Sequence, residues 1–215
     1  GDFTDLYRLV EECGDAGASI IGLNPLHALF PHNPPHASPY SPSSRQFLNI
    51  LYIDVEAVPE YAECEAARRK VAESEFQARL QVLRAADVVD YPGVAAMKRP
   101  VLEELFDHFR TQHVARGTER ARSFTAYRER EGEALYRHAL YETLQEQFHA
   151  RDTSIWGWPV WPEAFRDPRS PEVGKFAEEH RSRVEFFQYL QWQADSQLAA
   201  CGRCSMERQL GVGLY

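Results

Sequence analysis

Ser19-Ile20-Ile21-Gly22-Leu23 is a short apolar run bounded by Gly17 on one side and Pro25 on the other. It is too short for a helix and reads as a buried strand. Upstream, Leu6, Leu9, Val10 and Cys13 recur at helical spacing, with Thr4 as the expected cap and Gly14 and Gly17 as the stop. Downstream, Pro25, Pro31, Pro34, Pro35, Pro39 and Pro42 interrupt the stretch from Asn24 to Phe47, so no regular structure is expected there. A helix that delivers the chain into a buried strand is half of a barrel or parallel-sheet αβ unit. A long loop at the carboxyl end of such a strand is where α/β barrels place their sites.

Ile50 to Val55 reads as a further extended segment, and from about Pro59 to His149 the pattern becomes helical. Ser74 with Gln77 forms a capping-box pattern. Val101, Leu102, Leu105, Phe106 and Phe109 make one apolar stripe, and Leu135, Ala139, Leu140 and Leu144 make another. Charged residues fill the opposite faces, as expected of an amphipathic helical layer inserted between barrel pieces. Arg151 to Pro171 is an irregular link carrying Trp156, Trp158 and Trp161. A last helix, with Val184, Phe187, Leu190, Gln191, Ala194 and Leu198 on one side, leads to a terminal strand in Gly211 to Tyr215. The expected organisation is 1–58 for early barrel units and the proline-rich loop, 59–165 for the helical insertion with its Trp/Pro link, and 166–215 for a return helix and strand. The chain opens on Gly1-Asp2-Phe3 and closes inside an apolar run, which leads us to expect an excised piece of a longer protein.

Hydrophobic residues make up 44% and charged residues 26% of the 215, a globular and not a disordered composition. The net charge of −8 argues against nucleic acid or an anionic membrane as partner, since both call for a basic face. No apolar run approaches membrane-spanning length and no signal-peptide pattern is present. Four cysteines in a chain of this size do not suggest a disulfide framework, so a reducing cytoplasm is expected.

Cys201 and Cys204 have redox or metal spacing, but a lone pair supplies two ligands where zinc takes four, and a structural role is expected. His27, His32 and His36 crowd one loop without matching a ligand motif, so they read as substrate-facing or solvated histidines. Asp54 ends an extended segment where a catalytic carboxylate could stand; loop organisation is the expected role. Trp158 and Trp161 could stack on a sugar, against a bland reading as buried anchors of the link. Tyr40, within Ser38-Pro39-Tyr40-Ser41-Pro42, leaves two readings side by side. Its ring on a proline-stiffened loop can face a sugar, or it can pack the loop onto the barrel.

Three stretches together resemble the amylomaltase (disproportionating enzyme) family of 4-α-glucanotransferases, specifically its longer bacterial branch. They are Ile21-Gly22-Leu23-Asn24-Pro25-Leu26-His27-Ala28-Leu29; His36 to Arg45 continuing through Leu48-Asn49 to Tyr52-Ile53-Asp54; and Trp156-Gly157-Trp158-Pro159-Val160-Trp161-Pro162 followed by Phe187 to Trp192. The resemblance implies an incomplete piece of an α-amylase-type (β/α)8 barrel with an inserted helical subdomain, an α/β chain that is rich in helix and holds about three of the strands. It implies transfer of α-1,4-glucan segments between maltodextrins by a retaining double displacement, with no cofactor and no metal. Its aspartate and glutamate catalysts belong to later strands, so no catalytic residue is assigned in this chain. By the same resemblance Ser38 and Tyr40 match the loop that contacts sugar on the donor side, and Asn24, His27 and Asn49 match neighbouring positions. The expected partners are α-1,4-glucan oligosaccharides and the remainder of the barrel. A non-catalytic starch- or maltodextrin-binding module and a helical interaction scaffold are the competing readings.

Overall fold

The computed structural model describes all 215 residues, Gly1–Tyr215. In chain order they form α1 (Phe3–Asp15), β1 (Ile20–Ile21), β2 (His27–Ala28), β3 (Ser44–Leu48), α2 (Glu65–Ala72), α3 (Ser74–Arg84), α4 (Tyr91–Phe109), α5 (Glu119–Arg151), α6 (Pro171–Glu179), α7 (Arg181–Glu207) and β4 (Gly213–Leu214). Short 3-10 turns and one π turn, Arg110–Val114, join them. No helix is long and apolar enough to cross a membrane.

β1 and β4 pair in parallel, Ile20 opposite Gly213 and Ile21 opposite Leu214. Backbone bonds from Leu23 N to Tyr215 O and from Val212 N to Ser19 O prolong the ladder at both ends. Each strand is preceded by its own helix, α1 or α7, and these two helices pack on each other. Everything between Gly22 and Val212 is therefore one very long crossover between neighbouring parallel strands, with α7 as its return helix. This is the αβ repeat of a barrel with a helical layer inserted into one connection. One parallel pair is formed, not three barrel strands. The remaining strands, β2 and β3, pair antiparallel within the insertion, His27 opposite Leu48.

That β2–β3 pairing corrects the expectation of an irregular stretch from Asn24 to Phe47. The prolines from Pro31 to Pro42 all lie between the two strands, so none removes a ladder N–H. Ile50–Tyr52 is a 3-10 turn where an extended segment was expected, because the Asn49 side chain accepts from Leu51 N at 3.1 Å and closes the backbone. Two caps also differ from expectation. Asp2, not Thr4, caps α1, in a reciprocal box with Asp5. The Thr4 hydroxyl instead donates to Asp54 at 2.5 Å. Ser74 begins α3 without a side-chain cap, and Gln77 donates to Val71 O.

The core lies among α4, α5 and α7. Both predicted stripes are buried there, Val101 to Phe109 on α4 and Leu135 to Leu144 on α5. Phe109, Phe124, Tyr189 and Trp192 interlock with ring centroids 5.2–6.3 Å apart. α5 is two helical pieces joined at Gly132, whose φ of 58° and ψ of −141° are open only to glycine. α7 holds the end of β3 and the segment after it through two glutamines. Gln191 exchanges two 2.9 Å hydrogen bonds with the Leu48 backbone, and Gln197 does the same with Asp54. Lys98 of α4 adds bonds to the carbonyls of Leu51 and Ile53 at 2.9 and 2.7 Å. Burial lowers its pKa, with Asp2 opposing. These clasps leave the proline-rich loop standing on a rigid base.

Candidate functional site

The loop is organised around Pro39-Tyr40. Ser38 O accepts from Ser41 N at 3.1 Å, which makes these two residues the centre of a β-turn. Tyr40 keeps a negative φ, so the turn needs no glycine, and proline at its second position presets the bend. The Tyr40 ring is 69% exposed, and its hydroxyl donates to Asn24 Oδ1 at 3.1 Å. Asn24 directly follows the residue that closes the β1–β4 ladder, so the pair stands at the carboxyl end of the parallel strands. Ser43 anchors the far side of the turn, donating to Leu29 O at 2.6 Å.

The structure brings Tyr40, Ser38 and Asn24 onto one exposed loop surface. His27 is half-buried in β2. Asn49 stands apart from them, 3% exposed, with its oxygen spent on the 3-10 turn and its amide nitrogen left without a protein partner. The three loop histidines do not converge. His36 stacks on Phe30 at 4.4 Å, and His32 sits edge-on to Phe30 and His149. Burial, with His149 next to it, lowers His32 to about 4.

Beside the loop lies an open cleft of about 950 Å³, walled by Pro42 to Phe47 on one side and Trp156 to Pro159 on the other. Trp156 and Trp158 are 60% and 56% exposed. Trp161 is the buried anchor, stacked on Tyr141 and donating to Gln145 Oε1 at 2.6 Å. Of the three, Trp161 takes the anchoring role, and Trp156 and Trp158 leave their rings largely exposed. His138 lines the cleft floor, stacked on Phe47 at 4.3 Å, and burial lowers it to about 4.

Behind Ser43, Glu142 is buried, with one carboxylate oxygen 3.5 Å from the Ser43 hydroxyl and the other unpartnered. Burial raises it to about 8, against the weaker pull of Ser43 and Arg99. Sequence reading missed this residue because Glu142 is one of many acids on a helix and only packing removes it from water. Since the folded state holds the proton more tightly than the unfolded chain, Glu142 favours folding most below pH 4.5, and this contribution is lost as pH rises to about 8. Glu142→Gln is expected to remove that slope and to gain on wild type by up to about 1.4 kcal/mol per pH unit across the window. Urea unfolding at several pH values checks it; a constant difference between the two proteins would exclude the titration.

Asp54 accepts from Thr4 Oγ1 and from Glu56 N, the loop-organising role expected of it. Cys201 and Cys204 are buried and free, and Cys201 donates to Phe3 O at 3.3 Å. Burial and the neighbouring Cys204 raise Cys201 to about 11. Replacing both with alanine is expected to leave metal content unchanged while lowering stability by about 1–3 kcal/mol through lost packing. Metal analysis and thermal unfolding of the double variant test this, and loss of a stoichiometric metal would overturn it.

Comparison with known proteins agrees with this architecture. The 4-alpha-glucanotransferase family model matches residues 1–214. The chain is 34% identical over 218 residues to a 4-alpha-glucanotransferase of Haemophilus influenzae and 32% identical over 222 residues to one of Mycobacterium tuberculosis. Both matches cover the whole chain but only 31% and 29% of those relatives, so the chain spans about a third of their length. An amylomaltase from Corynebacterium glutamicum superposes over the full chain with a TM-score of 0.74 at 29% identity, using 27% of that structure. An amylomaltase from Streptococcus agalactiae in complex with acarbose shares the fold at the same TM-score and 19% identity, with 39% of that chain covered. A family match along nearly every residue, joined to a parallel αβ step interrupted by a helical layer, has one reading: the chain belongs to the 4-alpha-glucanotransferase family.

Proposed function

We propose that this chain supplies donor-side glucan contacts to a 4-α-glucanotransferase that moves α-1,4-glucan segments between maltodextrins. The observation that carries the reading is Tyr40, held outward on a proline turn and tethered to Asn24 at the carboxyl end of β1. A tyrosine ring offers a sugar an apolar face and a polar edge together. Ser38 borders it, and His27 and Asn49 act as supporting positions behind the loop. In this reading residues 1–58 supply an early barrel unit and the proline-rich sugar-binding loop, 59–165 the inserted helical layer with its Trp/Pro link, and 166–215 the return helix and barrel strand.

Retaining transfer needs two carboxylates about 5 Å apart, one a nucleophile and the other an acid/base. We assign both to sequence outside this chain. Glu142 does not fit either role, because its carboxyl is buried behind Ser43 rather than facing the Tyr40 surface. The reaction takes place in the cytoplasm and uses no cofactor. The protein at its natural length is expected to convert maltotriose to glucose and longer maltodextrins, which chromatography of the products detects. Hydrolysis alone, or binding of maltodextrins without turnover, would replace the transferase by a hydrolase or a binding module.

A further inference from the structure

The turn before α2 and the end of α4 bring together three side chains that the glucan surface does not use. Glu63 closes the 3-10 turn Pro59–Ala62. His108 lies in the last turn of α4, and His113 in the π turn that continues it. Their ligand atoms all lie within 4.8 Å of one another.

The backbone explains why two histidines five residues apart meet. On an α-helix they would point about 140° away from each other. Here the chain widens to a π turn, marked by the 3.0 Å bond from Ala115 N to Arg110 O, and this turns positions i and i+5 toward the same side. The two rings are brought to 6.2 Å, centroid to centroid. Single π turns inside helices frequently mark functional positions.

The distances fit a ligand set better than a hydrogen-bonded cluster. His108 Nε2 and His113 Nε2 lie 3.6 and 3.3 Å from the same atom, Glu63 Oε2. The first is too long for a hydrogen bond, and His108 Nε2 is left buried without any partner. A tetrahedral ion with bonds of about 2.0–2.1 Å holds its donors about 3.3–3.4 Å apart, close to the spacing seen. His113 is also oriented from behind, its Nδ1 standing 3.0 Å from Thr118 Oγ1. A hydrogen bond at Nδ1 is the usual means of keeping the Nε2 lone pair available to a metal. Thr118 is in turn held as the N-cap of α5.

We propose that Glu63, His108 and His113 form a binding site for a divalent transition metal of the zinc class, with water as the fourth ligand. Two imidazoles and one carboxylate suit such ions and not calcium or magnesium, which take oxygen donors. The ion ties the turn ahead of α2 to the α4–α5 junction, and so braces the inserted layer from its outer side. Glu63 is the exposed member, and its side chain provides the path for loading. The proposal departs from the sequence reading, which expected no metal. No motif announces it, since the ligands are 45 and 5 residues apart and only the π turn aligns the histidines.

The test is titration of tag-free, metal-stripped protein at its natural length with cobalt(II). One equivalent is expected to bind with the visible bands of a tetrahedral site, and zinc(II) should displace it and raise the melting temperature. Glu63→Gln, which alters only an exposed side chain, and the double variant His108→Ala/His113→Ala should each abolish saturable binding. Thr118→Val should weaken it by about 10- to 100-fold. Circular dichroism of each apo variant separates lost binding from lost folding. Absence of saturable cobalt or zinc binding to folded wild type, or unchanged binding in folded Glu63→Gln protein, would overturn the site.

Discussion

Tyr40→Ala, in the protein at its natural length, is expected to lower the specificity constant for maltotriose by about 30- to 1000-fold, through turnover as well as the Michaelis constant. Contacts to the reacting ring strengthen as it flattens toward an oxocarbenium-like transition state, whereas remote contacts hold ground and transition states alike. Losing both a stacking face and a hydrogen bond costs about 2–4 kcal/mol. The effect on folding should be small, since the ring is 69% exposed and bonded only to Asn24. Tyr40→Phe keeps the ring and gives up the Asn24 tether, so it should recover most of the turnover. Steady-state kinetics and thermal unfolding of both variants decide the matter. Near-normal turnover in Tyr40→Ala would remove this residue from the site.

A large stability effect is expected at Arg120. Glu60 is fully buried, and its carboxylate is held by Arg120 Nε at 2.6 Å and by the Tyr189 hydroxyl at 2.7 Å. The guanidinium also lies 3.7 Å from the centre of the Trp192 ring and bonds Gln193 at 3.0 Å. Arg120→Ala would strand a negative charge in the core, at a cost of about 3–5 kcal/mol. Arg120→Lys should fall between, because one ammonium cannot match the forked contact to Glu60. Replacing both partners, as in Glu60→Gln with Arg120→Met, should restore much of the loss, since the stranded charge goes with its counterion. Denaturant unfolding of the single and double variants measures the coupling. A loss below about 1 kcal/mol in Arg120→Ala would mean that water reaches the pair and screens it.

Together these sites show how the inserted layer serves the loop. Glu60 and Arg120 fix the turn before α2 against α5 and α7, and Gln191 and Gln197 of α7 carry that rigidity to Leu48 and Asp54. The turn at Pro39-Tyr40, proposed above to contact sugar, is thus supported from the helical core and needs few contacts of its own. That arrangement suits the role proposed for Tyr40, which needs its ring uncovered.

What could be read from the sequence alone rests on local rules. Periodicity marked the buried faces of α4, α5 and α7, because helical spacing and burial share one period. The short apolar runs marked β1 and β4, and proline spacing located the loop between β2 and β3. The ordered motifs pointed to the family that the full-length match establishes. Other features depended on partners distant in the chain and left no local trace. The Asn24 tether on Tyr40, the burial of Glu142 behind Ser43, and the pairing of β1 with β4 all join segments that only the fold makes neighbours. The meeting of Glu63 with His108 and His113 has the same origin, since one extra residue in a helical turn decides which way a side chain points. Pattern along a chain reports which face is buried; which atoms meet across the core is decided by tertiary packing, where burial and geometry give ordinary residue types their particular chemistry.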